Sequence, residues 1–261
     1  MTFRYDKSDG VAVITLDNPP VNVLTPELHK ELYDILRDFY ADPQVRCGIW
    51  TAAGERAWCA GDDVKTPRRR RSTAEVVERH LSVRREGDAA EYPGWEGAIL
   101  RLERTKPLIA AVNGPCMGQG MIYLLLLTDL RLATPNARFG LPEIAYGMPG
   151  GSAATRLGRQ IPQTAALWLA LTGEAMDAAE ARRCFLVNEV VEPDRLMPRA
   201  RAVAAQIAAH PPIAVRAEME GFYRALDLGR DDALAFSGHL YQLVRATMDA
   251  TPPLADKEER A

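Results

Sequence analysis

The chain has 261 residues, of which 47% are hydrophobic and 26% charged, and its formal net charge is −3. These values are ordinary for a soluble globular protein and give no general reason to expect a nucleic-acid partner. Residues 1–7 lack the apolar core of a signal peptide, and the longest apolar run, at 121–127, is far too short to span a bilayer. We therefore expect a cytoplasmic protein without a membrane or nucleic-acid partner.

The cysteines and histidines are scattered along the chain. The four cysteines include no CxxC pair, and the four histidines show no metal-ligand spacing. Dispersed cysteines of this kind indicate reduced thiols, not a disulfide framework or a zinc site. We expect no metal.

The first predicted elements are a strand and an amphipathic helix. Residues 11–16 have the composition of a strand, and an Asn-Pro-Pro break at 18–20 ends it. Thr25 is a good N-cap residue, and Pro26 fits the first helical position. The helical spacing of the apolar residues that follow predicts one buried face, formed by Leu28, Leu32, Ile35, Leu36 and Phe39.

Strand, turn and helix recur twice further along the chain. The strands at 47–51 and 108–112 each lead into a turn, and residues 130–133 and 186–191 are predicted as further short strands. Asp177, with Glu180 three residues later, predicts a helix start of the capping-box type. The alternation favours an α/β fold in which helices cover sheets.

The pattern becomes purely helical after about residue 198. It is interrupted only by Pro211 and Pro212. A tail of this size makes an insecure independent domain. We therefore divide the chain into a core at 1–197 and a helical region at 198–261 that packs on the core or on a neighbouring subunit.

Two strand exits carry small residues and are the most informative feature of the chain. The first contains Trp58-Cys59-Ala60-Gly61-Asp62, and the second, Asn113 to Gly120, opens a helix. Small residues let a backbone N–H approach a ligand closely. Two such N–H groups aimed at one point would form an oxyanion hole.

Residues 66–97 differ in composition from the rest. They contain a basic run at 68–71 and a stretch rich in glycine and charge at 86–97. A solvated, mobile surface segment is the first interpretation. The alternative is that some of the arginines contact phosphates.

In order and spacing, these segments resemble the crotonase superfamily, also called the enoyl-CoA hydratase/isomerase family. The resemblance covers roughly residues 5–195. It is carried by Asn-Val-Leu at 22–24, the two strand exits, Phe-Gly-Leu-Pro-Glu-Ile at 139–144, Gly-Met-Pro-Gly-Gly at 147–151 and Leu-Thr-Gly at 171–173. It implies a spiral of repeated ββα units followed by a C-terminal helical trimerisation region. It also implies a homotrimer or dimer of trimers that acts on acyl-CoA thioesters, without a cofactor beyond the CoA of the substrate.

The resemblance assigns the catalytic roles residue by residue. The Ala60 and Gln119 backbone N–H groups would bind the thioester oxygen, and Glu143 would be the general base and acid. Hydratases of the family use a second glutamate, which is missing here, because Ile122 or Tyr123 occupies its place. A single carboxylate can move a proton from one carbon to another, which places isomerisation slightly ahead of hydration. Lyase or hydrolytic C–C cleavage and a non-catalytic CoA-binding scaffold stay open as alternatives.

Other residues of these segments are candidates for substrate binding. Gly118 belongs to the second strand exit. Trp58 either shapes an acyl pocket or fills the core, and Tyr123 either binds a substrate oxygen or packs in the core.

Asp62 is the best substitute for the missing carboxylate, and Lys65 lies in the segment that meets the adenine end of CoA. Asp63 is expected to cap the next turn. The C-terminal stretch at 247–253 lacks the usual family ending.

Overall fold

The computed structural model describes residues 2–65, 71–82 and 94–248. The chain divides into two compact units, Met1–Ala205 and Gln206–Ala261. The division falls inside a helix, Pro193–Ala208, that starts before the boundary predicted at residue 197. Among the described residues, no helix is both long and apolar enough to cross a membrane.

The first unit is built on two sheets. Its strands are β1 (Thr2–Ser8), β2 (Val11–Asp17), β3 (Cys47–Ala52), β4 (Leu108–Val112), β5 (Cys116–Met117), β6 (Leu130–Ala133), β7 (Arg138–Gly140), β8 (Met176–Asp177) and β9 (Glu189–Val190). The larger sheet has the order β1-β2-β3-β4-β6-β9, and the smaller has the order β5-β7-β8. In the larger sheet β1 runs antiparallel to β2, and every other pair is parallel.

Helices alternate with these strands, as the sequence predicts for an α/β fold. They are α1 (Pro26–Ala41), α2 (Thr73–Leu81), α3 (Trp95–Ile99), α4 (Gln119–Leu127), α5 (Gly151–Gln160), α6 (Gln163–Thr172), α7 (Ala178–Arg183), α8 (Pro193–Ala208), α9 (Pro212–Ala225) and α10 (Arg230–Met248). A 3-10 turn, Pro142–Tyr146, follows β7.

Helix α1 begins as predicted. The Thr25 hydroxyl accepts a hydrogen bond from the Leu28 N–H at 3.3 Å, and Pro26 occupies the first turn. The buried face of α1 carries Leu32, Leu36 and Phe39, and it also carries His29. The predicted start of α7 is likewise confirmed, since Asp177 Oδ1 accepts from the Glu180 N–H at 2.8 Å.

The centre of the core is formed by β3, β4 and α4. All residues of β3 and β4 are buried, as in parallel strands that are covered on both faces. Helix α4 is apolar around most of its circumference and is predominantly buried. The strands that the sequence predicts at 108–112 and 130–133 coincide with β4 and β6.

Strand β1 is absent from the sequence-based prediction. Residues 2–8 are charged and mostly exposed because β1 is the edge strand of the sheet. Asp9 and Gly10, with φ of 51° and 76°, form the two-residue connection to β2. An Asp-Gly pair before an apolar strand is a hairpin signal, and it could have revealed β1.

The predicted strand at 186–191 is wrong over its first half. Only Glu189–Val190 forms a strand. Phe185 has a φ of 64°, and the Leu186 N–H donates to the Ala181 carbonyl at 2.8 Å. These residues therefore close the end of α7, and the apolar character of Leu186 and Val187 reflects burial in the core.

The segment at 66–97 is only partly described. Residues 66–70, which include most of the basic run, and residues 83–93 lie outside the described residues. Helix α2 has a complete capping box between Ser72 and Glu75. The expectation of a solvated segment is wrong at Glu96, which is buried and accepts a hydrogen bond from the Gly94 N–H at 2.8 Å.

Removal of the α1 cap should destabilise the protein. Thr25→Ala deletes the oxygen that accepts the Leu28 N–H, and the free energy of unfolding is expected to fall by about 1 kcal/mol. Thr25→Ser keeps the hydroxyl and should retain most of the stability. Urea denaturation of the three proteins checks this, and equal losses in both variants would contradict the assigned cap.

Candidate active site

The two strand exits lie side by side. Cys59 pairs with Cys116 in a parallel bridge. The Trp58 N–H donates to the Pro115 carbonyl at 2.9 Å, and the Met117 N–H donates to the Cys59 carbonyl at 2.9 Å. Segments far apart in the chain are thereby fixed next to each other, as the sequence predicts.

The backbones of Gly61 and Gly118 lie close together because neither residue has a side chain. A Cβ at Gly61, whose φ is +96°, would lie 3.1 Å from the Met117 carbonyl oxygen and 3.4 Å from the Gln119 nitrogen. A Cβ at Gly118, whose φ is +54°, would lie 3.2 Å from Glu143 Oε1. Glycine at these two positions therefore lets the Gly61 and Gly118 backbones lie in contact, with the Gln119 nitrogen next to one glycine and the Glu143 carboxylate next to the other.

The Gln119 N–H is suited to bind an acceptor. Gln119 is the first residue of α4, where backbone N–H groups lack partners within the helix. Within the described part of the chain this N–H makes no hydrogen bond. The positive end of the helix dipole adds to its preference for negative charge.

The Ala60 N–H is not open, which corrects the expectation of two unoccupied donors. It donates to the Val21 carbonyl at 3.1 Å. Neighbouring bonds from Leu24 N–H to the Gly61 carbonyl and from Asp63 N–H to the Leu24 carbonyl belong to the same pairing. The segment after Ala60 is extended and pairs with residues 21–24, so its amide is used in backbone structure.

Glu143 stands at the start of the 3-10 turn that follows β7. It is half-buried, and within the described residues its Oε2 is buried without a hydrogen-bond partner. Burial raises the pKa of the Glu143 carboxyl above its ordinary value, and the negative charge of Asp62 raises it further. Glu143 is thus a half-buried carboxyl group whose pKa is raised and whose Oε1 lies next to Gly118.

Trp58 fills the core. Its side chain is fully buried, and its ring centroid lies 4.9 Å from that of Trp50. Of its two predicted roles, the burial of the indole favours filling the core over shaping an acyl pocket. Ile122, at the position of the missing glutamate, is partly buried on α4.

Lys65 and Asp63 lie at the exposed end of the first strand exit. The Lys65 N–H donates to Asp63 Oδ1 at 2.9 Å, so Asp63 caps the turn as predicted. Lys65 itself is exposed. Its contact with the adenine end of CoA stays a prediction.

A polar cluster lies behind the site, and sequence reasoning missed it. The Tyr123 hydroxyl is 2.7 Å from His29 Nδ1, and His29 Nε2 is 3.0 Å from Asp62 Oδ1. Glu96 Oε1 is 3.8 Å from the same Nε2. The signal was a histidine within the apolar face of α1, one position after Leu28. The fully buried Tyr123 belongs to this cluster, which favours the core alternative, and its binding of a substrate oxygen stays a prediction.

The cluster also contains a potential metal-ligand set. One ligand atom each from His29, Asp62 and Glu96 lies within 4.8 Å of the others, which the spacing of the histidines in the sequence does not reveal. Both ring nitrogens of His29 are within hydrogen-bond distance of protein oxygens. Hydrogen bonds therefore suffice to satisfy the ring, and the expectation of no metal stays a prediction.

Glu143→Gln should stabilise the fold in a pH-dependent way. Because the folded-state pKa of Glu143 is raised, ionising it costs more in the folded than in the unfolded chain. The variant should therefore unfold at a higher urea concentration than the wild type near neutral pH. The difference should vanish below the ordinary pKa of 4.5, where both side chains are neutral.

Glu55→Gln removes an exposed carboxylate and is the control for the loss of a surface charge. A stability difference between wild type and Glu143→Gln that does not change with pH would contradict the burial of the Glu143 carboxyl.

Comparison with known proteins identifies the family. Residues 6–251 match the family model described as enoyl-CoA hydratase/isomerase. The chain is 34% identical over 251 residues to (E)-benzylidenesuccinyl-CoA hydratase from Thauera aromatica, with 95% of this chain and 93% of that protein covered. It is 34% identical over 263 residues to carnitinyl-CoA dehydratase from Proteus mirabilis, with 97% and 94% covered. A solved enoyl-CoA hydratase from Bacillus anthracis matches with a TM-score of 0.80 at 30% identity, over 93% of this chain and 90% of that one. The chain therefore belongs to the enoyl-CoA hydratase/isomerase family, the crotonase superfamily, and has its α/β fold.

Proposed function

We propose that this protein catalyses proton transfer on an enoyl-CoA thioester, with Glu143 as the proton carrier and the Gln119 N–H as the donor to the thioester oxygen. One observation carries the proposal: a buried, unpartnered carboxylate oxygen of Glu143 and a Gln119 N–H that makes no hydrogen bond among the described residues both lie at the contact between Gly61 and Gly118.

The chemistry follows from the charge that develops during the reaction. Removal of a proton next to a thioester, or addition of a nucleophile to its double bond, places negative charge on the thioester oxygen. A fixed N–H at a helix N-terminus stabilises that charge more than it stabilises the neutral carbonyl. The Gln119 N–H therefore favours the transition state over the ground state.

Glu143 supplies the proton transfer. Its raised pKa brings the carboxyl closer to the range in which it both gives and takes a proton near neutral pH. Acting alone, Glu143 takes a proton from one carbon and returns it to another, which is isomerisation. Acting with a second group that activates water, it completes hydration. Both reactions place negative charge on the thioester oxygen and require only the CoA of the substrate as a cofactor.

The oligomeric part of the proposal is a homotrimer or dimer of trimers. It is supported by apolar side chains that α9 and α10 leave exposed, among them Ile213, Phe222, Leu234, Tyr241 and Leu243. Exposed apolar side chains on two adjacent helices are typical of interfaces. Light scattering coupled to size-exclusion chromatography measures the mass directly, and a monomer would contradict the assignment.

Loss of the Glu143 carboxyl should abolish proton transfer without abolishing binding. We expect Glu143→Gln to lower deuterium incorporation into an enoyl-CoA, incubated in deuterated water, by a factor of roughly 100 or more. Affinity for the thioester, measured by calorimetry, should change little. Unaltered deuterium incorporation in the variant would show that Glu143 is not the proton carrier. A wild type that binds the thioester but incorporates no deuterium would favour a scaffold.

The role of the Gln119 main chain can be separated from that of its side chain. Gln119→Pro removes the N–H at a position where the first turn of a helix tolerates proline, and turnover is expected to fall by roughly 100- to 1,000-fold. Gln119→Ala keeps the N–H and should stay within several-fold of the wild type. If the alanine variant loses as much turnover as the proline variant, the backbone donor is not the important group.

A further inference from the structure

We infer that Asp62 is a second catalytic carboxylate of this site, that His29 and Tyr123 are residues that position it, and that the reaction is therefore the addition or removal of water. This inference rests on the proposed function and specifies its reaction.

Asp62 is the member of the polar cluster that reaches the site. It directly follows Gly61, where a Cβ would lie 3.4 Å from the Gln119 nitrogen. Its side chain is 15% exposed, whereas that of His29 is 1% exposed. The cluster thus extends from the interior to the partly exposed residue next to Gly61 and ends in a carboxylate.

The donor and the acceptor can be assigned in both hydrogen bonds of His29. Burial, together with the charges of Glu96 and Asp62, raises the pKa of Tyr123 well above its usual value, so the phenol keeps its proton. A carboxylate oxygen can only accept, so the His29 Nε2–H donates to Asp62 Oδ1, and in a neutral ring Nδ1 then accepts from the Tyr123 O–H. The imidazole is held as one tautomer, and Asp62 is held as a hydrogen-bond acceptor.

Glu96 is a second carboxylate close to the same ring nitrogen. Its Oε2 accepts the Gly94 N–H, and its Oε1 lies 3.8 Å from His29 Nε2 without a hydrogen-bond partner among the described residues. A negative group at this distance favours an N–H on Nε2 over a lone pair. Glu96 thereby supports the tautomer that donates to Asp62.

Each of the two carboxyl groups belongs to a residue at the glycine contact. Glu143 Oε1 approaches Gly118, while Asp62 follows Gly61, and a Cβ at Gly118 would lie 3.8 Å from the Gly61 Cα. The charge of Asp62 acts on Glu143, so the groups are within electrostatic reach. Two carboxyl groups that differ in environment can divide the acid and base roles.

The proposed step balances with water as the only co-reactant. Asp62, as the carboxylate, takes one proton from water while the water oxygen bonds to the β-carbon of the enoyl thioester. The double-bond electrons move onto the thioester oxygen, which the Gln119 N–H binds. Glu143, as the acid, then gives its proton to the α-carbon. Proton exchange with solvent returns both carboxyl groups to their starting forms, and the reverse sequence removes water.

Assays of hydration and of carbon-proton exchange distinguish the role of Asp62 from that of Glu143. The assay for hydration is the addition of ¹⁸O-labelled water to crotonyl-CoA, and that for exchange is deuterium uptake by butyryl-CoA in deuterated water. Asp62→Asn should lower hydration by roughly 100-fold or more and leave exchange within a few-fold of wild type. Asp63→Asn, which alters the neighbouring turn-capping carboxylate, should leave both rates unchanged.

The His29 variants test positioning as distinct from folding. His29→Gln retains an N–H donor toward Asp62 and should keep most of the hydration rate, whereas His29→Leu should lose it in kcat with exchange preserved. Equal hydration in wild type and Asp62→Asn, or parallel loss of hydration and exchange in that variant, would overturn the inference.

The same assays distinguish this inference from the proposed function. A wild type that exchanges protons but does not hydrate would overturn the role of Asp62 and leave that of Glu143 standing. Exchange that survives in Glu143→Gln would overturn the proposed function itself. Hydration that is lost on chelation and restored by zinc would assign His29, Asp62 and Glu96 to a metal and also overturn the inference.

Discussion

The pairing of Cys59 with Cys116 is the interaction on which the site depends. It brings together two strand exits that are far apart in sequence, and the hydrogen bonds between them join backbone groups of buried and partly buried residues. The approach is close, since a Cβ at Gly120 would lie 2.7 Å from the Cys59 Cβ. A buried donor or acceptor that loses its partner costs about 1–3 kcal/mol. The pairing therefore holds Gly61 against Gly118 with little freedom, and the geometry of Gln119 and Glu143 follows from it.

Several polar atoms around the site are buried without partners. Among the described residues they include Glu143 Oε2, Glu96 Oε1 and Gln119 Nε2. Most buried polar groups in proteins are hydrogen-bonded, so each of these unpartnered atoms lowers the stability of the fold. Such atoms are suited to meet a ligand or water. At these positions the fold loses stability, and the site keeps polar atoms that can bind a ligand.

The sequence predicted those parts of the fold and site that depend on local pattern. The apolar runs at β4 and β6, the Thr25 cap and the glycines of the strand exits each have a local physical cause. The place of Glu143 beside Gly118 came from family resemblance. The polar cluster could not be predicted, because His29, Asp62 and Tyr123 come from three separate elements and meet only after packing. The expectation of an open Ala60 N–H failed for a similar reason, since its acceptor, Val21, is distant in the chain.

The most direct test of the central claim is a crystal structure of the protein with acetoacetyl-CoA bound. The account predicts that the thioester oxygen lies about 2.7–3.1 Å from the Gln119 nitrogen, with the α-carbon facing the Glu143 carboxyl group. It also predicts that the contact between Gly61 and Gly118 is unchanged. A thioester oxygen bound elsewhere, with Glu143 turned toward solvent, would contradict the account.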